Sequence, residues 1–320
     1  MKLYQKAEQA LLNGLRTGKS TNIRRTKNFV IRLLFYLVVF DLAFVFLYPF
    51  ITVIADSLKT DNDIVNITVK WLPSSPEWNN YVVAWKRLRY LKYFKNSAIV
   101  CGTATLGHVF SCSFAGYAFA RYQFRFKNLL FGIVVLAMLV PAQVLIFPLY
   151  MQFSNWGWTN TYLPLAVPTF FGFGLSGGFF IFLFRQFFSG LPYEMEEAAR
   201  IDGCGPFMTY FRIMLPIAKS SVLVAVVLSV VWHWNDYFEP GVYVTNIDKM
   251  LLPSRLPVLY SLLNAEQFDP IQVNELDSII FNEAMLMAAT FLVILPVLIV
   301  YSILQKKFME GVERSGLTGM

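Results

Sequence analysis

An all-α integral membrane protein is what this sequence predicts, and three observations carry that reading. Hydrophobic residues make up 56% of the 320 and charged residues only 15%, against about half and about a quarter in a soluble domain. The apolar residues are gathered into runs: no charge occurs from Asn128 to Phe184, from Asn96 to Ala120 or from Ala284 to Gln305. The runs are continuous rather than alternating, which specifies helices and not a barrel.

A helix needs roughly 20 apolar residues to cross the hydrocarbon core. On that measure six spans are expected, at about 29–54, 97–120, 128–153, 162–185, 217–238 and 284–305. The domain reading follows: a basic segment 1–28, a six-helix membrane domain 29–306 and a tail 307–320. Residues 1–28 are polar and basic, and the apolar run after them is too long for the core of a cleavable leader, so the first span is expected to stay as an anchor. That span contains Arg32 and Asp41. The fifth is short between Lys219 and Asp236, and spans only if its flanking residues reach the interfaces.

Orientation comes from charge. Residues 1–28 hold seven Lys/Arg and one Glu, 121–127 hold three Lys/Arg and no acid, and 306–320 hold three Lys/Arg and two Glu. The segment 239–283 holds two Lys/Arg against seven acids. Positive loops stay inside, so both termini are expected in the cytoplasm. One loop disagrees: 56–95 carries seven Lys/Arg yet falls outside. Most of them lie in Tyr81–Lys95, alternating with Val82, Val83, Trp85, Leu88, Tyr90 and Leu91, which reads as an amphipathic helix on the membrane surface, with basic groups free to meet an acidic partner. The net charge of +7 is thus orientation signal, and no nucleic-acid partner is expected. The odd, scattered set Cys101, Cys112 and Cys204 predicts neither a disulfide framework nor a metal site.

The polar loop 186–216 falls between the fourth and fifth spans, on the cytoplasmic side. Leu191-Pro192-Tyr193 is expected to open a helix, with Glu194, Glu196 and Glu197 in its first turn, where the helix dipole favours acids. Ala198 and Ala199 offer a small surface for close approach. Asp202-Gly203-Cys204-Gly205-Pro206 breaks the helix, and Phe207–Ile213 forms a second one leading through Leu215-Pro216 into the fifth span.

The spacing Glu197-Ala198-Ala199, three residues, Gly203, nine residues, Ile213-x-Leu215-Pro216 closely resembles the signature of permease subunits of ABC importers. Asn96-Ser97, Gly116-Tyr117-Ala118-Phe119-Ala120-Arg121, Trp234-Asn235-Asp236 and Gln305-Lys306-Lys307-Phe308-Met309-Glu310-Gly311 look like the carbohydrate branch, and within it the smaller permease of maltose-type importers. The resemblance covers residues 29–320. It implies the six-helix type I importer fold and a cycle driven from outside the chain. The loop sits in a cleft of a cytoplasmic ATPase dimer, closure of that dimer around ATP turns two homologous permeases outward, and an extracytoplasmic solute-binding protein delivers the substrate, with oligosaccharides or sugar derivatives as the class. Glu197 is the residue expected to make a charged contact with the ATPase, with Ala198, Ala199, Asp202, Gly203, Ile213, Leu215 and Pro216 completing the coupling site. Trp234, Asn235, Asp236, Gly174 and Gly178 are candidates for the substrate path.

Other features have duller readings. Asn13-Gly14-Leu15-Arg16-Thr17-Gly18-Lys19-Ser20 lacks the first glycine of a phosphate-binding loop, so no cofactor is expected here, ATP hydrolysis must come from another chain, and the segment reads as a basic tail drawn to anionic lipid. Gly174-x-x-x-Gly178 reads as close helix packing or as a flexible gate. Pro164 and Pro168 can kink the same span. Asp41 pairs with a neighbouring helix or contacts substrate. His108 and His233 stand alone in sequence and read as packing or hydrogen-bonding groups. The set Phe170, Phe171, Phe173, Phe179, Phe180 and Phe182 faces core or lipid, with sugar stacking open to any of them. The acidic loop 239–283 is a candidate for entering the binding protein's cleft. Two rival functions remain: a self-sufficient secondary transporter or channel would call for paired buried charges or an inverted repeat, and a membrane enzyme for a catalytic constellation; the sequence shows neither.

Overall fold

The computed structural model describes residues 2–66, 68, 71–174, 176–268 and 281–314, with side chains except in 2–27, 262, 264–268 and 311–314. The long helix α1 (Lys2–Ser57) runs from the basic segment through the first span without a break, so the Asn13–Ser20 stretch is helical and cannot form a phosphate cradle. Residues 29–50 are exposed all round, including Asp41, which no described neighbour covers. α2 (Asp61–Val65) is held by a capping box between Thr60 and Asp63. Asp63 also accepts from Ser74, at 2.7 Å from Oγ and 3.1 Å from N, and these bonds hold its carboxyl below the ordinary range.

The amphipathic stretch forms α3 (Asn79–Leu88), which ends at Arg89 in a left-handed conformation. The stripe divides: Val82, Trp85 and Leu91 are exposed, while Val83, Ala84 and Leu88 form a buried face. It joins one core cluster with Leu259, Phe281, Ala288 and Ala289. The protein core thus covers one side of this amphipathic segment and leaves the other open. α4 (Tyr90–Arg121) begins seven residues before the expected second span and runs through the centre of the molecule.

The third and fourth segments are broken. α5 (Lys127–Ala137) and α6 (Ala142–Asn155) meet at 99° across Met138–Pro141. α7 (Leu163–Ala166), a 3-10 turn over Val167–Phe171 and α8 (Gly177–Ser189) together replace a continuous span, with Pro164 and Pro168 at the starts of the first two. After the loop that follows α8, built from α9 (Glu194–Ile201), α10 (Pro206–Thr209), a π turn over Tyr210–Met214 and α11 (Leu215–Ile217), the chain bends by 76° into α12 (Lys219–Asn235). Then come α13 (Phe238–Tyr243), α14 (Arg255–Phe268) and α15 (Glu283–Arg314). Among the described residues three helices are long and apolar enough to cross a membrane by themselves, and five when each bent pair counts once. Of six expected continuous spans, the third and fourth are therefore interrupted, and the fifth is the short α12, entered through a bend at Ala218. The acidic loop's residues 269–280 lie outside the described ones.

α4 packs on α8 and α12, and α12 packs on α15, which also receives α1 and α3. Small residues permit these approaches. A Cβ on Gly116 would lie 2.6 Å from the Phe184 Cβ and 2.8 Å from the Arg185 nitrogen. Gly116→Val is therefore expected to push α4 off α8 and to lower stability by about 1–3 kcal/mol, read as a lower unfolding temperature in detergent. An unchanged value would mean that the two helices are less tightly set. The Gly174-x-x-x-Gly178 motif does not do this work. Gly174 lies outside any helix at φ +98°, and only Gly178 makes a close approach, to Met138 and Val134.

The two ends of the molecule are distinct. At one, Asn96 Nδ2 donates to the carbonyls of Asp248 (3.1 Å) and Met250 (2.9 Å), and Ser97 Oγ accepts from the Leu252 nitrogen at 2.8 Å. Lys92 pairs with Asp248, and its hydrogen bond and charge hold that carboxyl below the usual range. One base of the loop that broke the charge rule, Lys92, thus has its acidic partner within this chain. At the other end, the C-terminus of α4, the loop 190–217 and Phe308 of α15 share one cluster.

Candidate functional site

The loop after α8 is shaped by local rules. Its first helix, α9, carries Glu194, Glu196 and Glu197 in the opening turn and ends at Gly203, whose φ of +79° is the left-handed cap that glycine adopts without penalty. The Cys204 and Gly203 nitrogens donate to the carbonyls of Ala199 (2.9 Å) and Arg200 (3.0 Å). Pro206 then starts α10. Tyr210, 1% exposed, shares a 2.6 Å hydrogen bond with Ser113 of α4. Ile213 and Leu215 pack into the same cluster as Met214, while Pro216 is exposed.

The three acids have different surroundings. Glu194 and Glu197 are exposed, as is Ala198. Glu196 and Ala199 are buried, at 4% and 2% exposure, so Ala199 supports the helix from below and, contrary to the sequence expectation, does not share an outer surface with Ala198. Asp202 and Gly203 are exposed at the turn.

Beneath α9 lies Arg121, the last residue of α4, with a fully buried side chain. Its Nε lies 3.0 Å from Glu196 Oε1. Its Nη2 donates to the carbonyls of Leu191 at 2.7 Å and Pro192 at 3.4 Å. Its guanidinium sits over the Tyr193 ring, 4.4 Å from the centroid. One cation therefore holds four residues of the loop, Leu191, Pro192, Tyr193 and Glu196, a task suited to the planar fork of arginine. Sequence reading took Arg121 for an orientation charge, because nothing in the string shows which span-end cations face inward. It also missed the apolar crest of the loop: Ile201 is 86% exposed, Phe207 68%, and Met208 and Phe211 lie beside them. Four large exposed apolar side chains thus lie on the same loop as the exposed acids Glu194 and Glu197.

A second feature is a cavity of about 740 Å³ where the helices break. Gly174 and Gly178 line it, as do Trp232 and Glu239. Trp234, Asn235 and Asp236 do not. Trp234 is buried and donates its indole N–H to the Val293 carbonyl at 2.9 Å. Asp236 Oδ1 accepts from the nitrogens of Phe238 (3.0 Å) and Glu239 (3.3 Å), so it caps α13. Asn235 is exposed. The aromatic set divides: Phe180 is wholly buried, whereas Phe171, Phe173 and Phe179 face the cavity. His108 and His233 are not alone; their ring nitrogens Nδ1 and Nε2 approach to 3.4 Å, with Ser229 Oγ also 3.4 Å from His108. They hold α4 against α12 as hydrogen-bonding partners that 125 residues of sequence separate.

Broken helices around a cavity, with a rigid polar loop at one end, define a multi-pass membrane permease. The chain belongs to the family of binding-protein-dependent transport system inner membrane components, whose model matches residues 112–314. It is 32% identical to a probable ABC transporter permease of Pyrococcus horikoshii, over 86% of this chain and 94% of that protein. It is 27% identical to the arabinooligosaccharides transport system permease of Bacillus subtilis, over 87% of this chain and 92% of the other. For the diacetylchitobiose uptake system permease of Streptomyces coelicolor the figures are 29% identity, 83% and 82%. A chain from the crystal structure of a bacterial ABC transporter involved in the import of the acidic polysaccharide alginate superposes with a TM-score of 0.72, at 21% identity, over 87% of this chain and 96% of its own; it shares the fold. Permeases of this family are not themselves enzymes.

Proposed function

We propose that this chain is the permease subunit of an ATP-driven, binding-protein-dependent importer of oligosaccharides or sugar derivatives. It shares its translocation path with a second, homologous permease and sits in a bacterial or archaeal cell membrane with both termini in the cytoplasm. ATP is hydrolysed on a separate cytoplasmic dimer, and a solute-binding protein delivers from outside. The sugar class rests on the relatives named above; the orientation rests on the charge of residues 1–28, 121–127 and 306–320. The membrane domain is 29–306, with 186–216 as its coupling loop, 1–28 as a basic cytoplasmic segment and 307–320 as the tail.

The observation that carries the reading is the loop itself. Glu197, Ala198 and Ile201 are exposed on α9, whose underside is pinned to α4 by Arg121, and Phe207 is exposed on α10, which packs on α9. A force applied to α9 reaches the transmembrane body without first deforming the loop. Exposure of residues 29–50 on every face of α1 fits lipid together with the second permease.

The deciding experiment is reconstitution with and without the ATPase. In proteoliposomes the full assembly is expected to accumulate a neutral oligosaccharide only when ATP is supplied, and omission of the ATPase should abolish uptake. Transport by this chain alone, driven by an ion gradient, would establish the secondary-transporter reading instead.

A further inference from the structure

The end of the molecule opposite the loop 190–217 holds a buried cation that no acid pairs among the described residues. Arg255, the first residue of α14, is 7% exposed. Its guanidinium carbon lies 5.2 Å from the centroid of the Tyr93 ring of α4, which occupies one face of the planar group. The N–H groups point along the plane and are not served by that contact. Nε and Nη1 are buried there without a hydrogen-bond partner among the described residues. Ser254 Oγ and the Tyr93 hydroxyl are buried and unpartnered in the same way. Burial lowers the Arg255 guanidinium from its ordinary range; Tyr93 opposes that shift and the like charge of Arg89 adds to it. A buried donor left without an acceptor is costly, most of all when it carries charge.

The surroundings add a second cation. Arg89 forms the elbow between α3 and α4 with φ +46°, a left-handed conformation that strains a residue with a Cβ. Its side chain is exposed, and no hydrogen bond or ion pair engages it among the described residues. Asp248 lies within electrostatic reach of Arg89, but Lys92 already holds that carboxylate. Two arginines therefore share one neighbourhood and lack one anion.

Depth in the membrane narrows the anion. Charge along α4 stops at Lys95, and Asn96 to Ala120 is uncharged. Tyr93 precedes Asn96 by three residues, about 4.5 Å along the helix. The headgroup zone extends roughly 5–7 Å beyond the hydrocarbon on each side, so Arg255 stacks on a ring at the level of the lipid phosphates. Trp85, stacked on Tyr90 with centroids 4.1 Å apart, and Leu91 are exposed on either side of Arg89 in sequence, as interfacial side chains are. A phosphate matches the fork of a guanidinium with two parallel bonds. A choline headgroup would bring a further cation beside Arg89, whereas a headgroup of net negative charge would not.

We infer that Arg255 and Arg89, with Ser254 and Tyr93 beside them, form a phosphate site for an anionic phospholipid headgroup, which ties the start of α14 to the elbow between α3 and α4. Free inorganic phosphate carries the same oxyanion, and the test separates the two sources. The site stands whatever the permease carries and does not rest on the importer reading.

The complete assembly is purified in mild detergent, washed free of lipid and titrated with phosphatidylglycerol, phosphatidylcholine or inorganic phosphate. Bound lipid is counted by native mass spectrometry, and the unfolding temperature is read in parallel. Phosphatidylglycerol is expected to raise the unfolding temperature of the unmodified assembly and to bind at least tenfold more tightly than phosphatidylcholine. Arg255→Gln should lose one such lipid per chain, with binding at the site weakened about tenfold, the loss of a hydrogen bond to a charged group. Arg89→Gln, at an exposed side chain, should weaken it severalfold and keeps the test open if the Arg255 variant fails to assemble. Stabilisation by inorganic phosphate, lost in both variants and with no preference for phosphatidylglycerol, would keep the phosphate site and overturn its assignment to lipid. Equal binding and equal thermal response in the unmodified assembly and both variants would overturn the inference. So would variants that bind both probes normally yet lose affinity for the solute-binding protein, since the arginines would then serve acids of that protein.

Discussion

Arg121→Met is expected to cut substrate-stimulated ATP hydrolysis in the reconstituted assembly more than tenfold and to lower the stability of the permease by about 3–5 kcal/mol, the usual cost of removing one member of a buried ion pair. Three losses combine. Glu196, 4% exposed, keeps a buried carboxylate with no cation beside it. The carbonyls of Leu191 and Pro192 lose their donor. Tyr193 loses the guanidinium stacked on it. A methionine fills the volume and does none of this. Arg121→Lys is not a mild alternative, since one ammonium cannot reach a carboxylate and two carbonyls in a plane. The double variant Arg121→Met, Glu196→Met separates stability from coupling. It removes the orphaned charge, so the unfolding temperature should recover in large part, while the loop remains unpinned at its carbonyls and stimulation stays low. Full recovery of both would reduce Arg121 to a packing residue; a single variant with wild-type unfolding temperature would mean that Glu196 is hydrated rather than paired.

Sequence and structure agree where the physics is local and part where it is long-range. Part of the loop from Glu194 to Pro216 was legible because acids in a first turn and a glycine at a left-handed cap answer to short-range rules, whereas the first helix begins at Glu194 and not at Pro192, and the second, expected over Phe207–Ile213, divides into α10 and a π turn. Helix existence was legible too, because an uncharged stretch such as Ala284–Gln305 has few other outcomes. The breaks were not. Nothing in Met138–Pro141 distinguishes a kink from a 99° reversal, and that difference is set by what packs around it. Nor could the string show which way a residue faces. Glu196 and Glu197 are neighbours in sequence, yet one is buried against Arg121 and the other is exposed. His108 and His233 read as isolated because their pairing needs α4 and α12 side by side. Asp236, a candidate for the substrate path by its place in a motif, caps a helix, and Glu239, three residues on, reaches the cavity.

The Arg121 and Glu197 positions divide the loop's work between holding and being pushed, and the second half can be tested without touching the fold. Glu197 is exposed on α9 and bonds to nothing beneath it. Reversing its charge forfeits only the helix-dipole interaction, about 0.3–1 kcal/mol, so Glu197→Lys should insert, fold and assemble with its partner permease as the unmodified chain does. Against a partner the cost is larger. Truncating or reversing one member of a close interfacial charge pair typically costs about 2–5 kcal/mol. Turning a 1:99 population of outward-facing permease into 99:1 takes about 5.5 kcal/mol of differential binding, so losing about half of that leaves the two states roughly equal. Uptake and substrate-stimulated ATPase activity are therefore expected to collapse together in Glu197→Lys. Glu197→Gln, which removes the charge and keeps the shape, should fall between the two. The apolar crest gives an independent check, because Phe207→Glu alters an exposed ring that stacks on Phe114 of α4, while Tyr210 and Met214, which anchor the loop, stay buried. It should release the ATPase from the purified assembly. Normal uptake in Glu197→Lys, together with an ATPase still bound in Phe207→Glu, would place the motor's contact elsewhere on this chain.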